Sequence, residues 1–128
     1  AIKNNNRFLQ IYDNRWKCWL FPYFRSTQNN NKENIDLSIS NLLKIQLSTK
    51  YIAQAKHCKY SVSDGVYKIY NHKLYMIRLD ELPEYMDKDE FEIGDKVFKW
   101  LSIGEMEEDF DIMSKNDDLI AFVKKRCC

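Results

Sequence analysis

Three groups of residues in this chain have types and spacings suited to chemistry or binding. The first is an aromatic run, Trp16, Trp19, Phe21, Tyr23 and Phe24, flanked by Arg15, Lys17 and Arg25. Aromatic faces stack on nucleobases while neighbouring cations meet phosphate. On a strand Trp19, Phe21 and Tyr23 share one face, because side chains alternate. The competing reading is core and edge packing, the usual work of aromatic side chains. The second group, Lys56, His57, Lys59, Lys68 and His72, is basic and surrounds the middle of the chain. It reads as an anion contact or as the solvent face of a sheet, with His72 exposed in a hairpin turn. The third is acidic: Asp87, Asp89, Glu90 and Glu92, then Glu105, Glu107, Glu108, Asp109 and Asp111. A metal cluster needs several of these on one face; otherwise they are solvated surface.

Several chemistries are excluded by what the sequence lacks. Gly65, Gly94 and Gly104 are isolated, so no glycine-rich phosphate loop exists, and no Gly-x-Ser-x-Gly elbow occurs. The cysteines, Cys18, Cys58, Cys127 and Cys128, include no Cys-x-x-Cys pair, and His57 and His72 are fifteen positions apart. A zinc site would have to be assembled from scattered residues, so no metal and no cofactor are expected. Reduced thiols are expected, with Cys127 and Cys128 frayed at the end. Twenty Lys and Arg against nineteen Asp and Glu leave a charge of +1, without the basic footprint that duplex nucleic acid requires.

The 128 residues fit one domain, and 45% hydrophobic with 14% aromatic content supplies a real core. No apolar run reaches the roughly 18–20 residues that span a bilayer, and the polar start resembles no signal peptide. Residues 1–6 read as a linker or cut end and 7–126 as the domain. Arg7–Tyr12 and Trp16–Phe24 read as a hairpin turning at Asp13 and Asn14. Residues 26–34 read as a mobile polar loop. Residues 35–47 are ambiguous: Ile35, Ile39, Leu42, Leu43 and Leu47 fit a helix capped by Asn34 or Asp36, while a period of two catches Ile35, Leu37, Ile39, Leu43, Ile45 and Leu47. One or two strands follow over 51–63, a turn at Asp64 and Gly65, and a hairpin of 66–70 with 73–79 across Asn71 and His72. An acidic loop over 84–92 precedes a strand over 96–101. Ser102 and Glu105 form a capping box for a short helix over 103–109, and Asn116 caps the last helix. Asp117 and Asp118 at its start and Lys124, Lys125 and Arg126 at its end suit the helix dipole. The fold class is α+β, a mixed or antiparallel sheet with a middle helix and a C-terminal helix.

The segment Trp19-Leu20-Phe21-Pro22-Tyr23-Phe24 resembles the Trp-x-hydrophobic-Pro-Gly-Gly strand end of Nudix domains, with Tyr23 and Phe24 in the glycine places. Leu43 to Lys50 then falls where that family carries its helical Arg-Glu-hydrophobic-x-Glu-Glu-x-Gly core. Lys44, Leu47 and Ser48 stand where three magnesium-binding glutamates would be. More specifically, three blocks in order over residues 7–125 resemble the SMODS-associated NUDIX domain of bacterial anti-phage islands: the Trp16–Phe24 arm, Lys59 through Tyr75, and Phe98 through Lys124. The resemblance implies a Nudix-like fold in which residues 35–47 are the helix.

It further implies a sensor rather than an enzyme, because hydrolysis by that family needs metal on the box glutamates. The expected function is to bind a cyclic oligonucleotide second messenger in antiviral (CBASS) signalling. Stacking would use Trp16 or Trp19, Tyr23 and Tyr67; phosphate would meet Arg25, Lys44, Lys56 and Arg78. Lys44 is the sharpest candidate, since it puts a positive charge where the metal would sit. The expected partners are the nucleotide and a second copy of the chain. The implied setting is a cytoplasmic domain of a longer membrane-anchored protein, consistent with Ala1 in place of Met. Two other classes stay open: a magnesium-dependent nucleotide hydrolase using Glu90 and Glu92, and a protein-interaction module whose interface is the aromatic arm.

Overall fold

The computed structural model describes residues 1–25, 31–61 and 64–127. Among them, seven strands form one mixed sheet: β1 (Ile2–Asn4), β2 (Arg7–Asp13), β3 (Cys18–Leu20), β4 (Lys50–Ser61), β5 (Val66–Arg78), β6 (Glu90–Ile93) and β7 (Lys96–Ser102). The order is β4-β5-β1-β2-β7-β6, with β3 pairing β2 off that path. Only β1 and β5 run parallel, with Ile2 opposite Ile77. Among the described residues three α-helices complete the α+β fold, α1 (Asn31–Leu43), α2 (Ile103–Glu107) and α3 (Phe110–Cys127), with a short 3-10 turn at Glu84–Met86. No helix among the described residues is long and apolar enough to cross a membrane.

Consecutive apolar residues mark strands covered on both faces. In β2, Phe8 packs with Met106, Ile112, Ile120 and Val123 beneath α2 and α3, while Leu9 packs with Ile39 and Leu43 of α1. In β7, Leu101 joins the first core, and Phe98 and Trp100 join the second. The sheet therefore lies between α1 on one face and the α2–α3 pair on the other. Trp100 is buried with its indole N–H donating to the Met86 carbonyl at 2.9 Å, so its one polar atom is satisfied.

Several sequence expectations are corrected. Residues 2–4 are a strand, not a linker: Ile2 is buried in the core, and Asn5 takes φ 54° in the tight turn to β2. The middle helix exists but spans 31–43 rather than 35–47, so Asn34 and Asp36 lie inside it. The loop expected over 26–34 loses 31–34 to this helix, and 26–30 fall outside the described residues. Asp36 instead accepts from the backbone N–H of Thr49 at 2.8 Å and its hydroxyl at 2.5 Å, tying α1 to the chain entering β4. The return strand after Asp13 is only Cys18–Leu20.

The large hairpin is β4 with β5, paired from Lys50 opposite Met76 to Ser61 opposite Val66. Asn71 and His72 lie within β5, not at a turn. Glu90–Ile93 is a strand, although residues 90–92 were expected in the acidic loop, and its hairpin to β7 passes through Gly94 at φ 61°. The Ser102–Glu105 capping box forms as expected. Asn116, at φ −138° and ψ 29°, breaks α3 where a cap was expected, although helix already begins at Phe110. Cys127 is buried rather than frayed; the expectation for Cys128 lies outside the described residues.

Candidate functional site

The sheet face beneath α2 and α3 is set by cross-strand pairs. Phe8 stands opposite Leu101, Gln10 opposite Lys99, and Tyr12 opposite Trp19. Where the helices turn, this face opens into a cleft of ≈ 300 Å³ lined by Trp19, Lys99, Leu101, Glu105, Glu108 and Asp109. Each group is positioned by a local rule. The Trp19 ring meets Tyr12 edge-on at 5.2 Å, and Lys99 Nζ stands 5.7 Å from the Trp19 ring centre. Glu105 is held by its capping bond from the Ser102 N–H at 3.0 Å. Asp109 accepts from the Ile112 N–H at 3.0 Å, at the start of α3. Beside Lys99, Gln10 is fully buried; its amide nitrogen donates to the Leu9 carbonyl at 3.0 Å, and its Oε1 has no hydrogen-bond partner in the protein.

One aromatic face, one ammonium and three carboxylates define what this cleft can take. A bare polyanion is disfavoured by the carboxylates. A planar ring carrying amino donors fits better: it can stack on Trp19 and donate to a carboxylate, as cytosine does through N4. Lys99 then meets an attached anion. The volume is at the lower end of small-molecule sites, about 300–1,000 Å³, the scale of a single nucleotide unit.

Of the eight ligand contacts expected from sequence, only Trp19 lines this cleft. Trp16 is 46% exposed, with the Arg15 guanidinium 5.9 Å from its ring, and its carbonyl accepts from Lys115 of α3. Tyr23 and Arg25 are exposed beyond the buried Phe21. Lys44 lies on the opposite side of the sheet, in a groove of ≈ 630 Å³ shared with Asp36 and Ser40. Its φ of 61° ends α1, so the stretch from Lys44 to Thr49 is not the helix that the Nudix comparison implied.

Lys56 and Tyr67 share the outer face of the β4–β5 hairpin, and Arg78 is exposed at the end of β5 opposite Lys3. The expected residues therefore do not converge on one site. Lys99 and Gln10 were not singled out by the sequence reading. The available signal was a polar residue inside each of two apolar strands, residues 7–12 and 96–101.

A second constellation lies on the same side of the molecule, between the hairpin and α3. His57 and His72, separated in sequence, are diagonal neighbours across β4 and β5, with ring centres 5.1 Å apart. Asp118 approaches from α3: its Oδ2 is 3.4 Å from His57 Nδ1, and its Oδ1 is 2.9 Å from Lys59 Nζ. Burial lowers the His72 pKa, Lys59 and His57 act in the same direction, and Asp118 opposes them. Burial alone would raise the Asp118 pKa, but the hydrogen bond and charge of Lys59 outweigh it and the net shift is downward. These are the residues among those described that can hold a metal ion.

Comparison with protein-family models, with curated proteins and with solved structures finds no match.

Proposed function

We propose that this chain is a Nudix-like sensor domain that binds one unit of a nucleotide second messenger, without hydrolysing it, in the cleft between Trp19 and Lys99. The observation that carries this reading is the juxtaposition of an indole, an ammonium and three carboxylates in one concavity. On binding, the base displaces Lys99 from the Trp19 ring, and the freed ammonium pairs with phosphate. A cyclic oligonucleotide of antiviral signalling would insert a single base and leave the rest outside. Membrane anchoring, in this reading, is supplied by segments outside this chain. Binding without hydrolysis rests on the sequence resemblance, in which Lys44, Leu47 and Ser48 replace the family's metal-binding glutamates, although these residues follow α1 and do not form a helix.

Thermal unfolding against cyclic di- and trinucleotides and linear nucleoside triphosphates, each with and without magnesium, tests the proposal. A ligand at 100 times its Kd stabilises by about 2.7 kcal/mol, which moves the Tm of a domain this size by several degrees. The expected shift is independent of magnesium and leaves the nucleotide intact. Magnesium-dependent turnover lost in Glu90→Gln or Glu92→Gln would instead establish a hydrolase; both side chains are exposed on β6.

A separate observation favours an interaction module as the second reading. The outer hairpin face exposes Tyr60, Tyr67 (75%) and Ile69 (73%) together. Clustered exposed apolar residues mark association surfaces. Light scattering that detects oligomers of the chain, lost in Tyr67→Ser with Ile69→Ser, would support this reading.

A further inference from the structure

We infer that His57, His72 and Asp118 form a binding site for a divalent transition-metal ion of the zinc type. Their ligand atoms all lie within 4.8 Å of one another. Three of them, His57 Nδ1, His72 Nε2 and Asp118 Oδ2, are buried and have no hydrogen-bond partner in the protein. Two imidazoles and one carboxylate are a donor set used for zinc and for other first-row metals that keep a position open to water or another ligand. Metal–ligand bonds of about 2.0–2.2 Å place tetrahedral donors about 3.4 Å apart, so the three side chains draw together slightly around the ion.

The surroundings hold the donors as a metal site requires. The Asp118 carboxylate divides its two oxygens: Oδ1 accepts from the Leu119 N–H at 2.9 Å and from Lys59, which leaves Oδ2 turned toward the imidazoles. Phe122 of α3 meets the His57 ring edge-on at 6.3 Å, and Tyr70 of β5 stacks on His72 at 6.3 Å. These rings pack beside the two imidazoles on the α3 and β5 sides. The His57 and Asp118 side chains are 22% and 21% exposed, so the site lies near the surface although its ligand atoms are buried. Among the described residues the cation paired with Asp118 is Lys59, which competes with the ion for this carboxylate. The site is independent of the Trp19–Lys99 cleft and of the nucleotide reading.

Calorimetric titration of the 128-residue chain with Zn²⁺, paired with Co²⁺ absorption spectra, tests the inference. The expected result is one equivalent of Zn²⁺, with intense d–d bands for bound Co²⁺ and no thiolate-to-cobalt charge transfer. His57→Gln, His72→Gln and Asp118→Asn should each weaken Zn²⁺ at least about tenfold, the scale on which even outer-shell losses act. Lys59→Met should tighten Zn²⁺ several-fold by freeing Asp118, a change that a purely structural network would not produce. Circular dichroism checks each variant's fold; if the His variants do not fold, the Lys59→Met titration decides alone. No binding, affinity unchanged in the folded ligand variants, a Lys59→Met variant that binds no tighter, or a thiolate band assigning the ion to cysteines would overturn the inference.

Discussion

Lys44 sits at φ 61°, in the left-handed region where a side chain is strained and where helices commonly end on glycine. The sequence reading chose Lys44 for its charge; the structure gives it the work of stopping α1. Lys44→Gly should therefore raise stability by about 0.5–1 kcal/mol in urea unfolding and leave nucleotide binding unchanged. A loss of binding would return Lys44 to the ligand set.

His72 gives a second test at this scale. Burial, seconded by Lys59 and His57 against Asp118, holds its pKa below the usual 6.5. The unfolded chain then takes up the proton first, so stability falls as pH drops below about 6.5 and levels off beneath the folded-state pKa. The Asp36 and Asp118 pKa values are also lowered. In each, the upward push of burial is outweighed: by hydrogen bonds from Lys32 and Thr49 at Asp36, and by Lys59 at Asp118. Their contribution is present above pH 3.8 and lost as pH falls through their folded-state values. The Tm should fall in two steps on acidification, the upper one flattened in a metal-free His72→Gln variant. An unchanged upper step would assign it elsewhere.

Elements differ in how they are held. On α3, Ile120 is buried against the Phe8 core, whereas Phe110 at the helix start is 82% exposed. Ile120→Ala should cost about 2–5 kcal/mol, and Phe110→Ala should stay within about 0.5 kcal/mol, both read from denaturant midpoints. A large loss at Phe110 would mean that its ring is covered in solution. The α2 start was legible because a capping box is a local signal, complete within Ser102 to Glu105. The turn of the β4–β5 hairpin at Asp64 and Gly65 was legible, but the second turn expected at Asn71 and His72 does not form. Asn71 and His72 are turn-forming types, but the full register from Lys50 to Ser61 carries the chain past them to Gly65. That pairing, not any local pattern, brings His57 to His72.

At the scale of the whole molecule, the α+β class could be read from the mix of strand-like runs and a terminal helix. The sandwiching of the sheet between α1 and the α2–α3 pair could not. It depends on Phe8 and Leu9 facing opposite cores, and on Ile2 closing the sheet between β2 and β5. The candidate cleft was half legible. Trp19 stood out by type, but Lys99 joined the cleft lining only when β7 was placed beside β2 and the helix turn above it.

The most direct test is isothermal titration with the nucleotide that gives the largest thermal shift, performed on the parent chain and on four variants. One-to-one binding should weaken at least about tenfold, or 1.4 kcal/mol, in Trp19→Leu and Lys99→Met. It should be unaffected by Lys44→Gly and Tyr67→Ser. Binding that survives the first pair but is lost in either of the second, or no binding by any nucleotide in the panel, would contradict the assignment of this cleft.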